Sequence, residues 1–417
     1  MINWAGNLVY ATDRVHYPTS VAEVQELVRQ CRHLRPLGSR HSFNRIADSD
    51  ENLVCVQRLN RVLSLDRATR TVTVESGTTY GALGEYLHAR GYALANLASL
   101  PHISIAGACA TATHGSGVEN GNLATAVSAI ELVDGTGRIV TLTRARDGDR
   151  FLGAVVSLGA LGVVTSLTLD IVDTFDVAQV VYSDLPMSAL VHDFDAIMAS
   201  GYSVSLFTDW TRQNIGQVWI KHRLDPNAAV AIPATFHGAR RATRNLHPAG
   251  EAPDNVTEQL GIPGPWHERL PHFRMGFTPS SGNELQSEYF VPIARAYEAI
   301  VAMESLHEQI APHLLVSEIR AIAADRLWMS PCYNRACVAI HTTWRPAPDT
   351  VAGLLPLLER ALIPLGAVPH WGKLFTMAPG VVQSRYERLE DFRRLVAEHD
   401  PERRFRNEFI GRYVVGQ

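Results

Sequence analysis

Gly38-Ser39-Arg40-His41-Ser42-Phe43-Asn44 is the stretch on which the reading of this chain turns. It follows a helix-like segment and a short apolar run, Arg35 to Leu37. Gly38 lets the backbone approach a ligand closely and take dihedrals other residues avoid. Successive amides in such a turn form an anion-binding nest, with His41 beside whatever the nest holds. The same residues also suit a loop that simply ends a strand, with a surface histidine, and the stretch alone leaves both readings open.

Upstream, Ser20-Val21-Ala22-Glu23 reads as a capping box, Ser20 at the N-cap and Glu23 reaching back. Val24, Leu27, Val28 and Cys31 follow at helical spacing. Downstream, Asn52 to Gln57, Val62 to Asp66 and Thr71 to Glu75 read as strands. Tyr80 to Arg90 reads as a short helix stopped by Gly91. A helix, then strands, then a helix is an α+β order.

Ala95 to Gly121 is the densest run of small residues, with Ser99, Ser104 and Gly107 followed by Thr111-Ala112-Thr113-His114. Such a run builds no large apolar core, and it lets a flat polar ligand lie against the backbone. A tightly packed structural loop is the competing reading. Length favours function, because long irregular loops in compact domains are usually functional or disordered, and this one is too apolar for disorder. Val127 to Val133 and Arg138 to Leu142 read as a hairpin around Asp134-Gly135. Phe151 to Leu158 reads as a helix, and Gly159 to Val164 leads into a strand ending near Ile171.

After Thr174 the residues become larger and the strands longer: Tyr202 to Thr208, Gln217 to Lys221, Glu288 to Pro292, Leu314 to Ala323 and Ala336 to Trp344. Asp225 to Pro265 reads as loop-dominated. Helices are expected from Arg295 to Gln309, across Val351 to Leu362 with a kink at Pro356, and from Gln383 to Glu398. Strands with helices between them suggest an antiparallel sheet covered on one side. On two of these strands polar residues share a face: Glu318 with Arg320, and His341 with Thr343. Lys373 follows nearby. They suit either a polar pocket or an ordinary solvated face, and alternation alone does not separate the two.

At 417 residues the chain exceeds the usual limit of one core, so two domains are expected. The formal net charge of -4 argues against a dedicated nucleic-acid binder. The five scattered cysteines, without a CxxC, argue against a disulfide framework or zinc site and fit a reducing cytosol. No signal peptide and no membrane-length apolar run are visible, so a cytoplasmic location without a membrane partner is expected. The dinucleotide fingerprint fails, since Gly115-Ser116-Gly117 is followed by Gly121, one residue too late. Walker, GxSxG and HExxH motifs are absent from the sequence.

Taken together, Gly38 to Asn44, the loop Ser99 to Gly117 and Gly159-Ala160-Leu161-Gly162-Val163 resemble the FAD domain of the vanillyl-alcohol-oxidase superfamily. The resemblance is closer still to its bacterial alditol oxidases. It extends through Gly264 to Phe273, Ser317-Glu318-Ile319-Arg320 and Pro369-His370-Trp371-Gly372-Lys373. It implies a two-domain α+β fold: an FAD domain over 1–174, a substrate domain over 175–375, and a C-terminal segment, 376–417, returning to the FAD domain. It implies a covalent bond from His41 to the 8α-methyl carbon of the flavin. Pro36, Leu37, Gly38, Ser39, Arg40, Ser42, Ser99, Ser104, Gly107, Thr111, Ala112, Thr113, His114, Val163 and His370 would surround the cofactor. One departure is visible: Arg40 stands where the resemblance has glycine.

The resemblance also implies that Ser99, Glu318, Arg320, His341, Thr343 and Lys373 line a polyol pocket, with Lys373, Arg320 and His341 nearest the chemistry. The expected reaction oxidises the terminal hydroxyl of an alditol such as xylitol or sorbitol to the aldose, with dioxygen reduced to hydrogen peroxide. Two alternatives stand beside it, an aldonolactone oxidase or dehydrogenase of the same superfamily and a flavin-binding protein without catalysis. Oligomeric state is open, and a monomer is compatible with the sequence.

Overall fold

The computed structural model describes residues 1–225, 232–276 and 284–416. Part of the expected loop-dominated stretch, 226–231, therefore lies outside the described residues. Four sheets organise the described residues. In the first half, three short parallel strands, Val15–His16, Leu53–Cys55 and Arg35–Leu37, lie beside a five-stranded antiparallel sheet. That sheet runs Val62–Asp66, Thr71–Glu75, Val163–Asp170, Val127–Val133 and Ile139–Thr143. In the second half the main sheet is antiparallel throughout, with Asp176–Pro186, Asn214–Arg223, Ser203–Thr208, Leu314–Ile322, Cys337–Trp344 and Leu285–Pro292 side by side. The mixed helix and sheet content is that of an α+β protein.

Several expectations are refined. Ser20 caps helix Val21–Gln30 by accepting from the Glu23 amide, but the Glu23 carboxylate accepts from the amide of Thr19 at 2.8 Å, one residue beyond the box. The small-residue segment is not irregular throughout: Ile105–Ala110 is a helix, and its Ile105, Ala108 and Cys109 enter the main core. The helix expected from Phe151 starts at Arg144 and ends at Val155, with Gly148 at φ 48° breaking its regularity. The expected 295–309 helix is two, Ala296–Glu304 and His307–Ile310. Pro356 sits inside an unbroken helix, Pro348–Leu362. The last long helix is Leu389–His399. Strand Asp176–Pro186 and helix Leu190–Met198 lie where the sequence reading placed no element.

Two sets of contacts position the site. The small-residue segment is stitched to strand Leu314–Ile322: the Gly117 amide donates to Ala321 O and the Ala323 amide to Asn120 O, both at 2.9 Å. Behind the His41 loop, the fully buried Arg35 donates to Gly159 O and Phe405 O at 2.7 Å and to Leu158 O at 2.8 Å. One guanidinium thus ties three distant segments, and burial pulls its pKa down to about 10. The C-terminal residues lie against the first half, where the Leu34 amide donates to Arg404 O at 2.9 Å.

Candidate active site

Strand Arg35–Leu37 delivers Gly38 against the start of helix Ile105–Ala110. A Cβ on Gly38 would lie 2.5 Å from the Ser104 hydroxyl, so no larger residue fits without movement. Ser104 spends its hydroxyl on this contact rather than on its own helix, accepting from the Ser39 amide at 3.3 Å. The Ser104 amide donates back to the Ser39 hydroxyl at 3.2 Å. Arg40 then takes φ 64°, the left-handed region that favours glycine. The Arg40 side chain is largely exposed, and its Nη1 donates to Ile2 O at 3.4 Å.

His41 follows, stacked on Trp4 with ring centroids 4.7 Å apart and planes 20° apart. Its Nδ1 lies 3.1 Å from Ser39 O. Burial, helped by the charge of Lys373, pushes its pKa down to about 4, so the ring is neutral at pH 7. The N-terminal residues brace the loop, with the Trp4 amide donating to Arg40 O and the side chains of Asn3 and Asn7 donating to Ser42 O and Phe43 O, all at 2.9 Å. On the far side the Phe43 amide donates to Gly372 O at 2.7 Å.

A cavity of about 330 Å³ opens beside this loop and reaches the main sheet of the second half. Its walls include Pro36 to Ser42, Ser99, Gly107, Thr111, Thr113, His114, Glu318, Arg320, His341, Thr343, His370 and Lys373. The polar strand face is therefore a pocket wall and not a solvated surface; these four strand residues are buried. Three expected cofactor residues do not line it. Val163 packs in an apolar cluster with Val24, Val54 and Val133, Ala112 is buried in the main core, and Ser104 stands behind Gly38.

At the sheet wall, Glu288 is the electrostatic centre. Its Oε1 lies 3.0 Å from His114 Nε2 and 2.9 Å from Arg320 Nη2, and its Oε2 is 3.6 Å from His341 Nδ1. His114 and His341 outweigh burial and hold its carboxyl well below the usual range. Glu318 pairs with His272 Nε2 at 2.7 Å and lies 3.4 Å from Arg320 Nε. Arg320 also donates to Ser99 Oγ at 3.3 Å, and His341 Nε2 lies 3.1 Å from Thr343 Oγ1.

Lys373 bonds Gln286 Oε1 and sits 4.7 Å from the centre of the Phe43 ring. Burial lowers its ammonium to about 8, against the pull of Glu288 and Glu284. His370 Nδ1 accepts from the Gly372 amide at 3.0 Å, and burial pushes its pKa down to about 3. Sequence reading missed Glu288, Gln286, His272 and Lys221. Gln286 and Glu288 carry the same alternation that marked Glu318 and Arg320, on strand Leu285–Pro292, which begins three residues before the expected start.

The residues present fit a flavin dinucleotide. The amides of Arg40, His41 and Ser42 donate to no carbonyl among the described residues, which leaves them for a ligand. On the opposite wall the buried Nε of Arg320 and Nδ1 of His341 make no hydrogen bond and meet only the carboxylates of Glu318 and Glu288, at 3.4 and 3.6 Å. The cavity joins a nest suited to phosphate, a neutral imidazole and a wall rich in donors and acceptors.

Comparison with known proteins agrees. A family described as an FAD binding domain matches residues 12–143, and one described as D-arabinono-1,4-lactone oxidase matches 281–413. The chain is 46% identical to an alditol oxidase of a Streptomyces species, over 98% of this chain and 97% of the relative. It is 26% identical to an L-gulono-1,4-lactone dehydrogenase of Mycobacterium tuberculosis, over 99% and 98%. Among solved structures, the carbohydrate oxidase of Microdochium nivale superposes with a TM-score of 0.77 at 15% identity, covering 99% of this chain and 94% of that one. The cholesterol oxidase of B. sterolicum gives 0.75 at 16%, covering 99% and 96%. At these identities the structural likenesses speak for the fold.

Proposed function

This chain belongs to the alditol oxidase family of FAD-dependent oxidoreductases, and we propose that it oxidises the terminal hydroxyl of open-chain alditols of the xylitol and sorbitol type to aldoses. Dioxygen is the acceptor and hydrogen peroxide the second product. The observation that carries this reading is the convergence of Glu318, Arg320, His341, Thr343 and Lys373 on the cavity that also receives the His41 loop.

FAD supplies the acceptor for the two electrons and the hydrogen leaving the alcohol carbon. The chain's own residues do the rest. The amides of Arg40 to Ser42 with Thr111, Thr113 and His114 would hold the cofactor, with Ser99, Gly107 and His370 against it. His41 would hold the cofactor covalently through its 8α carbon, and a neutral imidazole with a free lone pair, as its low pKa supports, suits that place. Glu318 accepts from a hydroxyl on one carbon of the polyol while Arg320 donates to its neighbour. A hydroxyl both donates and accepts, so a carboxylate beside a guanidinium suits a vicinal diol. Thr343 and His341 hold the reacting end. Lys373, neutral for part of the time at its lowered pKa, takes the hydroxyl proton at Nζ. Arg320 stabilises the alkoxide character that develops.

We assign 1–174 to cofactor binding, 175–375 to substrate binding and 376–417 to a segment returning to the first unit, supported by the contacts of Arg35 with Phe405 and of Leu34 with Arg404. A cytoplasmic location accords with five free cysteines, and no helix among the described residues is long and apolar enough to cross a membrane.

The match of 281–413 to a lactone oxidase family favours one competing substrate, a sugar lactone. Product analysis with xylitol and with L-gulono-1,4-lactone separates the two. Aldose and peroxide from xylitol in air support the proposal, and turnover of the lactone alone overturns it.

A further inference from the structure

Behind the substrate wall lies a buried lysine with no part in the scheme above. Lys221 is 1% exposed, on strand Asn214–Arg223, opposite Ser203 of the next strand. Among the described residues no carboxylate lies within ion-pairing distance of it. Its Nζ instead meets three acceptors: Leu270 O, Pro271 O at 3.2 Å and His272 Nδ1 at 3.1 Å. Burial lowers the Lys221 pKa to about 7; as an ammonium it has three donors and no lone pair, so three acceptors satisfy it fully and the ring nitrogen facing it is bare, the same tautomer that the accepting carboxylate of Glu318 requires on the other side of the ring. The proton of His272 is then on Nε2, which lies 2.7 Å from Glu318 Oε1. The ring itself is held edge-on by Phe207 and Trp219, with centroids 5.6 and 5.2 Å away.

We propose that Lys221 is a positioning residue for substrate binding: it fixes the orientation of His272, held as the Nε2–H tautomer, and His272 in turn anchors one oxygen of Glu318 so that the other faces the polyol. The proposal rests on the reading of Glu318 as a hydroxyl-binding group. Without the lysine, Nδ1 has no donor, and the ring keeps only its Nε2–H bond to Glu318 and loses the contact that fixes its orientation. Glu318 would then lose a fixed anchor and turn from the substrate. The chain of contacts runs from Lys221 through His272 to Glu318, with all three groups buried.

The test uses the flavin-loaded enzyme with xylitol as probe. Lys221→Met removes the donors at similar length. It is expected to raise KM about tenfold, with kcat changed less than about threefold. His272→Gln keeps a donor toward Glu318 and has no ring to orient. In that background Lys221→Met is expected to raise KM less than about threefold, a non-additivity that mere loss of packing would not give. Equal KM effects in both backgrounds, or a loss of kcat alone, would overturn the proposal.

Should Lys221→Met yield no soluble flavoprotein, nitrogen-15 spectra of the wild-type holoenzyme decide, with the His272 signal assigned from His272→Gln. A ring protonated on Nε2 alone supports the proposal, and one protonated on Nδ1 or on both nitrogens overturns it. The tautomer is read without substrate, so a wild-type enzyme inert to xylitol would refute the functional reading while this arrangement could still be confirmed.

Discussion

Asn44 and Lys373 are joined directly: the Asn44 side-chain amide donates to Lys373 O at 2.7 Å and to Trp371 O at 2.8 Å. Three residues before Asn44 is the proposed flavin tether, and Lys373 is the proposed proton acceptor. One amide therefore sets the spacing between the two ends of the reaction. Asn44→Ala leaves two carbonyls short of a donor, at a cost of about 1–3 kcal/mol. We expect a lower thermal midpoint and a reduced kcat/KM for xylitol, read by a melting curve and steady-state kinetics. An unchanged kcat/KM would separate Asn44 from catalysis.

Glu288→Gln strips the negative charge from beneath Arg320, His114 and His341. Arg320 then keeps only Glu318, 3.4 Å from its Nε, and losing one partner of a buried ion pair costs up to about 3–5 kcal/mol. The variant should melt well below the parent or fail to accumulate as soluble protein. A melting point equal to the parent's would show that Glu288 is not the counter-charge.

Lys373 has its pKa lowered to about 8, and a proton acceptor must be neutral. The neutral fraction grows as pH rises through that value, so kcat/KM for xylitol should climb from pH 6 to about pH 9 and then level. In Lys373→Met the residual activity should lose this rise. A rise that persists in the variant would place the proton elsewhere.

Acid should destabilise the fold through its buried imidazoles. His370 and His272 have pKa values pushed down to about 3 and about 4, below the ordinary histidine value. Below pH ~6.5 the unfolded chain binds protons that these rings refuse in the native state, so stability is intact above that pH and falls beneath it. Each ring contributes at most ~1.4 kcal/mol of loss per pH unit across this window. A urea midpoint at pH 5.5 should lie below that at pH 7.5. Equal midpoints would contradict the burial of these rings in the native state.

Arg40→Gly tests the loop. The arginine holds φ 64°, and a non-glycine residue in that region costs roughly 1 kcal/mol, offset in part by the greater freedom of glycine when unfolded. Full flavin attachment and a melting point within a few degrees of the parent are expected. Loss of attachment would mean that the Arg40 side chain itself serves the cofactor.

The fold class was legible because strands such as Thr71–Glu75 and Val127–Val133 carry β-branched or alternating residues over their whole length. Asp176–Pro186 was missed: six consecutive residues, Val177 to Tyr182, are buried, so its two faces do not differ as alternation requires. Glu318, Arg320, His341 and Thr343 were visible as same-face pairs, but whether that face met water or a cavity depends on the loop 99–117 lying over it, a long-range contact. His272 and Lys221 were invisible for a related reason. Each acts through a partner far away in sequence, as His272 does through Glu318. The bracing of His41 by Trp4 is likewise tertiary, since nothing in Asn3-Trp4-Ala5 marks a stacking partner.

The most direct test of the account is denaturation of the purified protein followed by in-gel fluorescence, comparing wild type with His41→Ala. Yellow fluorescence that migrates with the wild-type chain and disappears in the variant is the predicted result. A wild-type chain that sheds its flavin on denaturation, or a variant that keeps it bound, would contradict the tether at His41.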